Sequence, residues 1–114
     1  MNKQNVKGIW EILVPTVRRL EPGKYYSTRY HRVWDAKVRN ITGGLTVMTP
    51  ARGQWINPST GVLFKERMIP VRIMASREEI EKVIDFTIDY YNQLATLCYK
   101  ISDEVILKLK EAND

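Results

Sequence analysis

Two stretches of this chain carry apolar residues at spacings of three and four, and each lies between β-rich pieces. That order constrains the fold more than any other feature of the sequence. The second stretch has the sharper start. Ser76 and Glu79 form S-x-x-E, the spacing at which each side chain meets the other residue's free backbone N–H and opens a helix. Behind it Ile80, Val83, Ile84, Thr87, Ile88, Tyr91, Leu94 and Ala95 make one apolar stripe, and Glu78, Glu81, Lys82, Asp85, Asp89 and Asn92 point away from it. In the first stretch Ser27 or Thr28 caps a helix, on which Tyr30, Val33, Trp34, Val38 and Ile41 share a face. Arg29, Arg32, Lys37 and Arg39 occupy the other face, and Gly43-Gly44 ends the helix with a left-handed cap.

Around these helices, "IWEILV" at 9–14 reads as a strand running into Pro15, and "LTVMT" as a strand bounded by Pro50. "PARGQWINPSTG" reads as turn chemistry joining a hairpin. "VLFKERMIPVRIMA" is a long strand or two pieces, with Pro70 marking an edge or a bulge because proline donates no ladder hydrogen bond. "TLCYKI" is the next strand. "EVILKLK" alternates Val105, Leu107 and Leu109 against mostly polar neighbours and reads as a further strand, with a short helix as the alternative. The order β-α-β-β-α-β predicts a ferredoxin-like α+β sandwich, an antiparallel sheet with two helices on one face. A chain of 114 residues suits one such domain, residues 1–114. The other sheet face then needs a cover, which predicts a homodimer through that face.

Composition narrows the function classes. Apolar residues are 44% and charged residues 27% of the chain, as in soluble globular proteins. No apolar run approaches the ~20 residues of a membrane helix, so no membrane partner is expected. "MNKQNVKG" has no apolar segment behind it, which predicts a cytoplasmic protein. Cys98 is the single cysteine and His31 the single histidine, so neither a disulfide nor a metal-ligand set with recognisable spacing is present and no cofactor is implied. Gly43-Gly44 follows a helix instead of opening one, which argues against a phosphate loop.

The net charge is +5, with Lys and Arg in excess over the first 40 residues and acids in excess after Ser76. Adjacent helices would let the two halves neutralise each other. A nucleic-acid surface is the rival reading: "RRLEPGKYYSTRYHR" interleaves basic and aromatic residues. There Arg18, Arg19, Lys24, Arg29 and Arg32 would meet phosphates while Tyr26, or its neighbours Tyr25 and Tyr30, stacks on bases.

The run "WEILVP…VWDAKVRNITGGLTV…RGQWINPSTGVLFKE…VRI…IEKVI…YYNQLATLCYKISDEVIL" resembles a family of uncharacterised bacterial proteins over about residues 10 to 107. Trp34, Gly44-Leu45-Thr46-Val47, Gly53-Gln54-Trp55, Gly61, Glu66 and Gln93 stand where that family has its cues. Gly43-Gly44 replaces the usual Asp-Gly, the turn "INPSTG" is longer, and the family is mostly exported whereas no leader is visible here. The resemblance implies a small α+β fold. It implies no activity, because the family's biochemical role is not established.

The residues left for a site are Trp55, a candidate pocket wall, and Glu66, Arg67 and Arg52 beside it. Glu66 is a candidate general base if half-buried, although a cross-strand ion pair with Arg52 or Arg72 is the plainer expectation. His31 is a second candidate base in the same cleft. Three functions follow in order: a non-enzymatic module binding a small molecule or protein, an enzyme using Glu66 or His31, and a nucleic-acid binder using residues 18–32.

Overall fold

The computed structural model describes residues 6–111. Residues 1–5, the start of the segment that reads as leaderless, lie outside that range, as do residues 112–114. The elements are β1 (Gly8–Pro15), α1 (Thr28–Thr42), β2 (Thr46–Val47), β3 (Ala51–Ile56), β4 (Leu63–Ala75), α2 (Arg77–Tyr90) and β5 (Cys98–Ser102). The strands form one antiparallel sheet in the order β2-β4-β1-β5, with β3 also on β4. This is the ferredoxin-like α+β fold that the element order predicts.

Local chemistry sets the helix ends. Ser27 caps α1 by accepting from the Tyr30 N–H, and Gly43 closes it at φ 96°, a left-handed conformation open to glycine at little cost. The Ser76–Glu79 capping box is fully formed at the start of α2. The core lies between the helices and one sheet face. Register pairs Ile12 with Val71 and Val14 with Ile69, and Ile12, Val14, Val71, Ile73 and Ala75 pack with Trp34, Val38, Ile80 and Val83 in one cluster. The buried Trp34 indole donates to Thr87 Oγ1 at 3.0 Å, and Thr87 Oγ1 donates to the Val83 carbonyl at 2.6 Å. The helical stripes overreach at their margins: α2 stops at Tyr90, leaving Leu94 exposed, and Val33 on α1 is exposed as well.

Three expectations are corrected here. First, Ala51–Ile56 is a strand, paired residue for residue with Leu63–Met68, and only residues 57–62 make the turn. Asn57 anchors it: its N–H donates to the Val62 carbonyl, its Oδ1 accepts from the Ser59 N–H, and Gly61 takes φ 73°. Second, residues 103–111 add no strand. Third, Pro70 sits on an inner strand, between β1 and the β2 side. Its carbonyl accepts from Met48 N at 2.9 Å, so its missing donor faces the gap between β2 and β3. The proline interrupts the edge there without breaking its own strand.

Candidate functional site

The β3–β4 hairpin extends past the Pro15 end of β1, because β4 pairs with β1 only from Met68 onward. Its register sorts the site candidates. Trp55 lies opposite Phe64 and Gly53 opposite Glu66, so these four share the face that the helices leave bare. The Trp55 and Phe64 rings stack at 4.8 Å and 15°. Both rings and the Glu66 side chain are half-buried. Gly53 sets no side chain of its own in front of Glu66. The end of Met68 lies over it instead, and a Cβ there would collide with Met68 Cε.

Arg52 and Arg67 are also directly opposite each other, one residue out of phase, and so project from the other face. The four predicted ligand residues therefore do not converge. Trp55 and Glu66 form one pair, and Arg52 and Arg67 form a two-cation pair behind them. The expected ion pair of Glu66 with Arg52 or Arg72 is absent. Arg52 lies on the wrong face, and Arg72 Nε instead binds Glu11 Oε1 at 3.1 Å. Tyr99 also donates to Glu11. That hydrogen bond, and then Arg72, hold the Glu11 carboxyl below the usual carboxylate range against the opposing effect of burial. The sheet face opposite the helices is thus polar at its centre. Three exposed apolar residues, Ile56, Val62 and Leu63, sit together at the hairpin tip. Among the described residues Glu66 has no ion-pair partner.

His31 is not part of this cleft. It lies on α1, on the helix side of the sheet, beside a cavity of about 110 Å³ lined in part by Val14, Trp34, Asp35 and Val71. Its Nδ1 is 2.6 Å from the Tyr91 hydroxyl. Burial lowers the His31 pKa and raises those of Asp35 and Tyr91, so all three favour their uncharged forms. The hydrogen bond between the His31 ring and the Tyr91 phenol is a packing contact that holds α1 to the end of α2. A wider hollow of about 530 Å³ between the end of α1 and the start of α2 is lined by polar residues including Lys7, Asn40 and Glu79. The helix N-terminus facing it is already satisfied by the capping box.

Part of the basic and aromatic segment is used inside the molecule, while Tyr25 stays 67% exposed. Tyr26 is 7% exposed, and its hydroxyl donates to the Tyr91 carbonyl at 2.6 Å, so it cannot stack on a base. Tyr30 stacks between Tyr26 and Tyr90 and donates to the Tyr90 carbonyl. Arg18 lies over the Tyr26 ring, and Arg19 Nε donates to the Asn92 carbonyl at 2.9 Å. Together these groups satisfy the last carbonyls around the end of α2, which no helical N–H can reach. Lys24, Arg29 and Arg32 remain exposed. The expected neutralisation between helices is also corrected: among the described residues no ion pair joins α1 to α2, and Lys37 sits over the Phe86 ring instead.

Sequence reasoning missed Phe64, Asp35 and Tyr91 as site neighbours. Phe64 had a readable signal: "ARGQWI" and "LFKERM" flank the turn at equal distance, so Trp55 and Phe64 fall opposite each other. Cys98, expected to be buried, is half-buried, and its partial burial pushes its thiol up to about 11, which favours the protonated form. Among the described residues no group of three or more His, Cys, Asp or Glu side chains is placed to hold a metal ion. No helix among them is long and apolar enough to cross a membrane.

These features define a ferredoxin-like α+β protein with an aromatic and carboxylate face on a projecting hairpin. No family model matches the chain, and neither does any curated protein. Solved structures match its fold. The divalent cation tolerance protein (Cut A1) from Thermus thermophilus is similar at TM-score 0.60 and 9% identity, over 94% of this chain and 87% of that one. A phage SAM lyase in complex with S-methyl-5'-thioadenosine is similar at TM-score 0.63 and 12% identity, over 90% and 94%. CutA from Synechococcus elongatus PCC7942 is similar at TM-score 0.55 and 9% identity, over 90% and 80%. At these identities the likeness is one of fold.

Proposed function

We propose that this chain is a cytoplasmic small-molecule-binding module that works as a homo-oligomer, with its ligand held against Trp55 and Phe64 and met by Glu66. One observation carries the reading: a stacked aromatic pair stands beside a carboxylate that has no ion pair within its own subunit among the described residues. Aromatic faces take planar, electron-poor rings, and a neighbouring carboxylate selects hydrogen-bond donors or positive charge on them. S-methyl-5'-thioadenosine, the ligand named for the phage SAM lyase, carries such a ring with an amino group, and is therefore the first probe. The test is thermal shift of the full chain with S-methyl-5'-thioadenosine, SAM and a metabolite panel. A ligand at 100 times its Kd should add about 2.7 kcal/mol of stability, and Trp55→Ala should abolish the shift. No shift across the panel, or a shift that survives Trp55→Ala, sinks the reading.

A second reading makes the same face catalytic, with Glu66 as general base. Its unpaired carboxylate favours this, and so does the likeness to a lyase. Incubation with SAM followed by chromatography for S-methyl-5'-thioadenosine separates the two. An enzyme loses turnover by roughly 100-fold or more in Glu66→Gln while keeping ligand affinity; a binding module shows no turnover in the wild type.

A further inference from the structure

Residues 105–111 alternate like a strand, yet no described residue pairs with them. Among the described residues they make no backbone hydrogen bond, and Ile106, Leu107 and Leu109 are 91%, 68% and 78% exposed. Their own sheet offers no free edge within reach except the one they leave. β5 ends with Ser102 beside Ile9, at the Gly8 end of β1, whereas the hairpin begins at Met68, beyond the Pro15 end. The two also lie at opposite sheet edges, with β1 and β4 between them. The route from one to the other covers about 23 Å along the strands and about 14 Å across them. The segment's whole length would be consumed in getting there, with none left to pair.

We infer that residues 105–111 of one copy add as an outer strand to the free edge of β3 in another copy, bringing Lys108 and Lys110 beside Glu66 and closing the ligand face. The segment is about as long as β3. Its faces match the hairpin in one orientation only. Ile106, Lys108 and Lys110 share one face, and Val105, Leu107, Leu109 and Glu111 share the other. On the hairpin, Glu66 lies with Trp55, and the Arg52–Arg67 pair lies behind. Consider the lysine face turned toward Glu66. A lysine then crosses Gly53, where only the flexible end of Met68 has to move aside. Glu111 falls on the arginine side, and Leu107 and Leu109 cover Ile56 and Leu63. The flipped strand sets lysine against arginine and Glu111 against Glu66, which cross-strand pairing disfavours. Exposed apolar residues at the two projecting ends of a molecule 55 Å long are then one interface seen from both sides.

This rests on the ligand reading only for the role of Glu66; the pairing itself is tested without ligand. Light scattering of the full chain at micromolar concentration and low salt should give a multiple of 13.3 kDa. The double variant Leu107→Asp/Leu109→Asp should run as a monomer with unchanged far-UV circular dichroism. Lys108→Glu/Lys110→Glu should weaken assembly about tenfold, and adding Glu66→Lys should restore it. A monomeric wild type, a Leu107→Asp/Leu109→Asp protein that stays assembled, or a charge reversal that restores nothing overturns the proposal. Assembly as described without any thermal shift sinks the ligand reading alone. A thermal shift in a chain that stays monomeric sinks the strand exchange alone.

Discussion

Single side chains hold the far end of this molecule together. Tyr91 is fully buried, its hydroxyl meets His31 and its carbonyl accepts from Tyr26. Tyr26→Phe leaves that buried carbonyl with one donor fewer, and chemical denaturation should show a loss of about 1–3 kcal/mol. Glu11 gives a pH signature. Its folded pKa lies below the ordinary 4.5, chiefly through the Tyr99 hydroxyl. Its contribution is therefore fully present above pH 4.5 and is lost as the pH falls through the folded value. Tyr99→Phe removes the leading cause, so the gap in melting temperature between wild type and variant should be widest near pH 7 and shrink below pH 4.5. Asp35 runs the other way, since burial raises its pKa above 3.8, but it is common to both proteins and cancels in the comparison. A gap that stays constant from about pH 7 to about pH 3 would show that Tyr99 acts by packing alone.

At the scale of elements, the two helices start from different strengths. Ser27 satisfies one N–H of α1, whereas Ser76 and Glu79 satisfy each other's at α2. Ser76→Ala should cost about 1 kcal/mol by urea denaturation, and Ser76→Gly only a few tenths. The same loss in both variants would mean that the hydroxyl matters for its burial and not for the cap. The hairpin is the least supported element. From Leu63 to Arg67 β4 pairs with β3 alone, so its amides should exchange hydrogen faster than those of residues 71–75, which have strands on both sides or a packed helix above.

Across the whole molecule, charge and apolar surface are both unevenly spread. The chain carries +5, and α1 keeps Arg29, Arg32 and Arg39 exposed with no ion pair to α2 among the described residues. Arg19, Tyr26 and Tyr30 of the residue 18–32 segment nevertheless cap the end of α2. Oligonucleotide binding measured by fluorescence anisotropy should accordingly be negligible at ~0.15 M salt, where screening acts beyond ~8 Å. Arg18→Ala/Arg19→Ala should lower the melting temperature more than it changes any binding. A submicromolar affinity that falls steeply with salt would instead mark a nucleic-acid interface.

The sequence by itself determined the α+β class, both helix starts, the Gly43 stop and the side of each helix that faces the sheet. These follow from spacing and from backbone groups that only nearby side chains can satisfy. Tertiary structure alone decided the rest, because register and face are set by partners far away in the chain. A stretch dense in Gly, Asn and Pro became a strand over Ala51–Ile56 once β4 supplied its ladder. Arg72 lies further along the same strand as Glu66, out of its reach, and pairs with Glu11 across β1 instead. Tyr26, readable as a base-stacking residue, was drawn inside by a carbonyl 65 residues away. Val105–Lys110 kept the alternation of a strand without becoming one, since a strand exists only where another edge completes its hydrogen bonds, and no described residue pairs with it.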